Sequence, residues 1–362
     1  MMCVFPDGYI YEIFAFNAGI ANDASIIRNI AERTSRFAPY FRSGDVFVFD
    51  RGFRDVVPEF RRKGFEVYTP ASAAGREQLS WQEANKTRIV TKIRWVVEAD
   101  NGKMKSQFRA LHHIVQNTNI ESKIKELKVC CALINKYGQR FISDRGSTEL
   151  ILERIESRRE KEQLLQPIVV QNNLNRGEIA FRPFDPLMER VLDPPFSMKE
   201  LYFIATGSYL LKYIDAYKTA FREAQLEDTV LKKEEHYFLE DSDSRILLIS
   251  KVRIYNKDDC QALLERGGIT TIQPKLIRMR MPSRHRSQTN YLLFIVIDSD
   301  ASGLERLTEF CCSCLSGLRT VNPCGHIITA LDILCRGFTA KVPAPRLWNI
   351  FVHEDHDESE ED

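Results

Sequence analysis

The chain lacks any long hydrophobic run. Its longest uninterrupted apolar stretch is residues 291–297, Tyr-Leu-Leu-Phe-Ile-Val-Ile. A membrane-spanning helix needs about 20 apolar residues, so no span and no membrane partner is expected. It also lacks an excess of either charge. Basic residues number 51 against 50 acidic ones, a formal net charge of +1, so only the local distribution of charge can speak of partners. The opening Met-Met-Cys-Val-Phe-Pro-Asp has no basic region ahead of an apolar core, and no secretory signal is expected. The nine cysteines are an odd number, which argues for a reducing, intracellular compartment and against a disulfide framework. With 44% apolar and 28% charged residues, the 362 residues have ordinary globular composition, which excludes a mostly disordered chain. At about 150 residues per domain, they make two or three domains.

Residues 1–137 alternate strand and helix signals. Residues 2–5 and 10–16 read as strands joined at Pro6-Asp7-Gly8, a turn signal. Asn22-Asp23-Ala24-Ser25 opens a helix to about Arg36, with Asp23 as its N-cap. The run Val46-Phe47-Val48-Phe49-Asp50 suits a strand buried on both faces and ending in a carboxylate. Residues 53–63 read as a helix, 65–68 as a short strand and 81–111 as a long helix, an α/β layout. Residues 138–195 are polar and charged and read as a helical and linking segment, Gln/Asn-rich over 166–175. Residues 196–270 are mixed, with a helix expected over 197–217 and no assignable chemistry. Strand signals return in 271–340, and 341–362 is a tail whose last ten residues hold seven acids and are expected to be disordered.

The strongest chemical signal lies in 310–326, Phe-Cys-Cys-Ser-Cys-Leu-Ser-Gly-Leu-Arg-Thr-Val-Asn-Pro-Cys-Gly-His. Cys312-x-Cys314 is followed by Cys324-x-His326. Three thiolates and an imidazole complete a tetrahedral Cys3His zinc shell, structural rather than catalytic because no position stays open. Gly317 and Pro323 allow the turn between the pairs. Cys311 lies one residue outside the pattern and competes with Cys312, which keeps the one-residue gap. The bland alternative is a set of buried cysteines beside a surface His; for Cys130 and Cys131 that small-hydrophobe role is the expectation.

The Cys-x-Cys…Cys-x-His pattern resembles the SWIM zinc finger over about residues 308–340. The resemblance implies a small C-terminal ββα zinc-binding module that binds DNA or protein.

Ahead of it stand Lys275, Arg278, Arg280, Arg284 and Arg286, with no acid from Thr271 to Gln288. In Leu-Ile-Arg-Met-Arg-Met a strand puts Arg278 and Arg280 on one face. That face is either a phosphate-binding surface or a solvated edge strand kept soluble by charge. Ser283-Arg284-His285 also looks like a short motif that recurs upstream of such fingers in transposon-derived proteins.

Phosphodiester chemistry by two metal ions needs clustered carboxylates. Asp50 ends its strand, where α/β folds place chemistry. Glu98 shares a helix face with Arg94 and Lys105, while Asp100 points elsewhere. From Asp50 to Arg109, 13 basic residues outweigh 8 acidic ones, and Lys103 and Lys105 are candidates for nucleic-acid contact. The bland readings are a strand-terminal turn for Asp50 and an i,i+4 pair with Arg94 for Glu98.

Three blocks stand in order: Asn22-Asp23-Ala24-Ser25, Phe49-Asp50-Arg51-Gly52-Phe53 and Val97-Glu98-Ala99-Asp100-Asn101-Gly102-Lys103-Met104-Lys105. They resemble the successive blocks of DDE-superfamily endonucleases of the PIF/Harbinger type, transposase nucleases with an RNase H-like fold. The resemblance implies that Asp50 matches the second catalytic Asp and Glu98 the catalytic Glu. It places the first catalytic Asp on a strand upstream of the block matching residues 2–19, and Asp7, in a turn, is a poor substitute. The expected fold is therefore α/β, an incomplete RNase H-like sheet lacking its first strand, joined to the zinc module.

The expected function is a transposon-derived, nuclear protein that binds structural zinc and nucleic acid and carries an inactive nuclease remnant. Two other readings stand beside it. One is an active endonuclease using Mg2+ or Mn2+. The other is an adaptor that meets a protein partner through the finger.

Overall fold

The computed structural model describes residues 2–14, 22–33, 41–111, 119–141, 145–176, 180–184, 194–207, 209–211, 214–219, 252–256, 258–283 and 289–336. The chain divides into two compact units, Met1–Ser72 with Lys86–Asp144, and Ala73–Asn85 with Arg145–Asp362.

In the first unit, β1 (Met2–Val4) and β2 (Ile10–Ile13) form an antiparallel hairpin, and β3 (Val46–Val48) and β4 (Glu66–Tyr68) form a parallel pair. Among the described residues these are two separate two-stranded sheets. The unit's other elements are α1 (Asp23–Arg33), a 3-10 turn over Arg51–Val56, α2 (Val57–Arg62), α3 (Trp81–Gln107) and α4 (Ile120–Tyr137). Of α3, residues 81–85 belong to the second unit and 86–107 to the first.

Two local expectations change. Asn22, not Asp23, caps α1: its side-chain oxygen accepts from Ser25 N at 2.7 Å. The run at β3 is not buried on both faces, since Val46 is 57% exposed while Phe47 is buried. Phe47 packs with Phe49, Phe60 and Phe65, ring centroids 5.1–5.6 Å apart, so one aromatic cluster supplies much of this core.

The second unit is built on a five-stranded antiparallel sheet in the order β5 (Phe181–Pro183), β6 (Val252–Tyr255), β7 (Pro274–Pro282), β8 (Asn290–Asp298), β9 (Leu307–Cys312). Strand alternation gives it two apolar faces. Ile277, Met279, Met281, Leu293 and Ile295 form one, under α7 (Met198–Ile204) and α9 (Gly325–Arg336). Leu276, Phe294 and Val296 form the other, against α6 (Leu165–Gln171) and α8 (Cys260–Arg266). Helix α5 (Arg145–Arg159) precedes α6. The Gln/Asn-rich stretch thus begins inside a helix whose Leu165, Ile168 and Val169 are buried. Strand, strand and helix do follow one another as β8, β9 and α9, but within this larger sheet rather than as a small freestanding module.

Candidate metal centre

Strand β9 ends at Cys312, a turn carries Cys314, and Cys324 stands immediately before α9, whose first turn holds His326. The four side chains are buried, and their ligand atoms all lie within 4.8 Å of one another. Nδ1 of His326 faces the sulfurs, 3.9 Å from Cys312 Sγ and 3.8 Å from Cys324 Sγ. With ordinary zinc–sulfur and zinc–nitrogen bond lengths, a tetrahedral shell places sulfur and nitrogen about 3.6 Å apart, so the donor set and its spacing fit zinc. Among the described residues this is the only such group of three or more His, Cys, Asp or Glu.

The surroundings favour charge separation. Burial pushes the Cys312 thiol well up, and hydrogen bonds with Cys314 and Cys324 push it further the same way. For Cys324 burial also opposes ionisation. Its hydrogen bonds with Cys312, Cys314 and His326 outweigh that, and hold it well below the ordinary thiol value. Of the three thiols, the one at the start of the helix is therefore the readiest to give up its proton to a cation. A zinc ion with three thiolates leaves a net negative charge, and the buried Arg319 stands beside it, donating through Nε to Asn322 O at 2.9 Å and through its guanidinium to Pro323 O. Tyr291 and Tyr217 pack against the His326 ring at centroid distances of 4.7 and 5.0 Å and fix its plane.

The turn itself depends on Gly317. A Cβ there would lie 1.9 Å from Cys312 O. Gly317 N donates to Cys314 O at 2.9 Å, and Cys312 N to Gly317 O at 3.1 Å. Cys311 lies on the other side of β9, in the core with Phe294 and Val296, and takes no part in the cluster.

The carboxylates of the first unit are arranged differently. Asp50 accepts from Arg51 N at 2.7 Å and caps the 3-10 turn. Arg94 reaches Glu98 at 2.8 Å and Asp50 at 3.5 Å, so one guanidinium joins both candidate catalytic carboxylates. The Asp23 carboxylate lies against Gly52, where a Cβ would come within 2.4 Å of its Oδ2. These acids form no ligand group for a divalent ion among the described residues. With a cation of the chain already bridging Asp50 and Glu98, the arrangement does not fit a two-magnesium centre. Among the described residues Asp100, fully buried on α3, has no hydrogen-bond partner on either oxygen, which no sequence signal announced.

The basic candidates also separate. Arg278 is buried, its guanidinium 5.0 Å from the Phe181 ring centroid and 3.3 Å from Leu174 O, so it serves the core rather than a solvent face. Lys275 is half-buried and Arg280 is exposed. Lys103 donates to Gln139 O at 2.7 Å, and Lys105 is exposed. Arg284 and Arg286 lie outside the described residues, as do His285 and the acidic tail.

Residues 1–135 match the family model described as DDE superfamily endonuclease. The match supports a transposase-derived endonuclease domain over that stretch, less than half of the chain. Enzymes of this superfamily use divalent metals. No curated protein and no solved structure matches the chain. Among the described residues no helix is long and apolar enough to cross a membrane.

Proposed function

We propose that the chain is a transposon-derived, nuclear protein that holds one structural zinc ion, binds nucleic acid and has lost the cleavage activity of its nuclease ancestor. The single observation that carries this reading is the buried Cys312–Cys314–Cys324–His326 cluster in a chain whose first 135 residues match a transposase nuclease. The order of the motif blocks supports the PIF/Harbinger subtype, and the Cys-x-Cys…Cys-x-His spacing between the end of β9 and the start of α9 supports a SWIM-type finger. The division proposed along the chain is 1–137 nuclease remnant, 138–195 helical and linking segment, 196–270 mixed region without assigned chemistry, 271–340 finger region and 341–362 acidic tail.

Zinc supplies a fold-holding crosslink here; Cys312, Cys314 and Cys324 bind it as thiolates and His326 through Nδ1. Loss of cleavage is supported by the Arg94 bridge between Asp50 and Glu98. DNA is the proposed partner, met by Lys275, Arg280, Arg284, Arg286, Lys103 and Lys105.

The test is fluorescence anisotropy of the full chain on labelled duplex DNA across a salt series, with zinc content measured in parallel. Affinity should fall steeply and linearly in log salt, and Cys324→Ser should lose the zinc. Salt-independent affinity would point instead to a protein partner, and full zinc retention by Cys324→Ser would overturn the metal assignment.

A further inference from the structure

The metal loop, residues 312–324, has turn bonds of its own and bonds to Leu292, Arg158, Lys161 and Ala205, and a stretch of chain far away in sequence holds both ends of it as well. Residues 73–85 fold with the second unit although they lie within the nuclease-matching part of the chain. Gln78 Nε2 donates to Cys312 O at 2.6 Å and to Cys314 O at 2.8 Å. The amide has two hydrogens on that nitrogen, one for each carbonyl of the Cys-x-Cys pair. Next to it Leu79 N donates to Leu315 O at 3.0 Å.

At the other end of the stretch, the buried Asn85 saturates its amide. Its Oδ1 accepts from Thr320 N at 2.7 Å and Val321 N at 3.2 Å. Its Nδ2 donates to Thr320 Oγ1 at 2.8 Å and Arg159 O at 2.9 Å. Cys312, Cys314, Leu315, Thr320 and Val321 are therefore all held from one side by residues 78–85. Nothing else in the loop fixes the two carbonyls of the Cys-x-Cys pair together: Cys314 O has one further partner, Gly317 N.

We propose that Gln78 and Asn85 are positioning residues of the metal centre, so that residues 73–85 form the outer layer of the ligand shell and become more ordered when the metal binds. The inference rests on the zinc reading of the Cys/His cluster. Neither amide would touch the ion; Gln78 fixes the backbone of two ligands and Asn85 the loop between the two ligand pairs, and loss of such outer partners typically lowers metal affinity about 10- to 100-fold.

The experiment uses the full chain, with Co2+ as the spectroscopic stand-in for zinc. Gln78→Met keeps length and volume but donates nothing. It should weaken Co2+ affinity about 10- to 100-fold, shift the visible tetrahedral bands and speed metal release, while the metal-free form unfolds as the wild type does. Gln82→Met, exposed four residues on in the first turn of α3, should match the wild type in every respect. Hydrogen exchange of the wild type should slow over 73–85 when zinc is added.

A wild type that takes up no cobalt sinks the metal reading and this inference with it. A wild type that does so, beside a Gln78→Met of equal affinity and identical spectrum, sinks only the role of Gln78. Exchange over 73–85 that ignores zinc overturns the ordering, even if Gln78→Met fails to fold.

Discussion

Cys311 and Cys312 are neighbours in sequence and lie on opposite faces of β9, Cys311 packed with Phe294 and Val296 and Cys312 turned toward Cys314, Cys324 and His326. The two-residue period of a strand makes that choice, because one core needs the odd face of the sheet and the other the even face. Cys311→Ala should therefore keep one zinc per chain and cost about 1–2 kcal/mol in folding stability for the lost packing. Cys312→Ser should abolish zinc uptake. Metal content by mass spectrometry and urea unfolding of both variants check this.

Gly317→Ala should weaken zinc binding nearly as much as loss of a ligand. Its Cβ would collide with Cys312 O, and the backbone that must give way carries a ligand on each side. Competition against a chelator measures the effect. Affinity like that of the wild type would show that the turn has room to relax.

Arg278 and Arg280 share a face of β7 yet have opposite fates, and their variants should separate stability from nucleic-acid binding. Arg278→Ala should cost about 2–3 kcal/mol, through lost ring packing and an unpaired Leu174 carbonyl, with the salt slope of DNA binding unchanged. Arg280→Ala should leave stability alone and reduce the salt slope by about one. The reverse pattern would place the phosphate contact at Arg278.

Asp298 predicts a pH dependence. Burial alone would raise its pKa, but it accepts from Ile272 N at 2.9 Å, Gln273 N at 3.1 Å and Asp300 N at 3.1 Å, and these hold it below the ordinary carboxylate value. A carboxylate depressed in the folded state contributes stability in full above its unfolded pKa, and loses it as pH falls through the folded one. Asp298→Ala should therefore cost about 1–3 kcal/mol at pH 7 and markedly less once the wild-type carboxyl is protonated. Urea unfolding at neutral and strongly acidic pH makes the comparison.

Plasmid DNA incubated with Mg2+ or Mn2+ should stay supercoiled. The Arg94 guanidinium already serves both Asp50 and Glu98. Cleavage that Glu98→Ala abolishes would restore the active-nuclease reading.

What was legible in the sequence was short-range or periodic. The Cys-x-Cys and Cys-x-His spacing marked all four cluster residues, and the alternation in Leu-Ile-Arg-Met-Arg-Met gave the correct shared face for Arg278 and Arg280. Burial of Arg278 was not legible, because the ring of Phe181 that covers it comes from another strand far away in sequence. Gln78 and Asn85 were missed for the same reason: side-chain amides carry no periodic signature, and their partners in the metal loop lie more than 230 positions on. Asn22 and Asp23 are both good caps by residue type, so only the backbone could decide between them. The helix at 165–171 was hidden because its apolar residues, Leu165, Ile168 and Val169, are few and the Gln and Asn around them read as linker.

The most direct measurement is X-ray absorption at the zinc edge on the purified full chain, together with its metal content. The expected result is one zinc per chain, surrounded by three sulfurs and one imidazole nitrogen, with a nitrogen or oxygen replacing sulfur, or the metal gone, in Cys324→Ser. A metal-free wild type recovered from zinc-replete growth, or a shell of sulfurs alone, would contradict it.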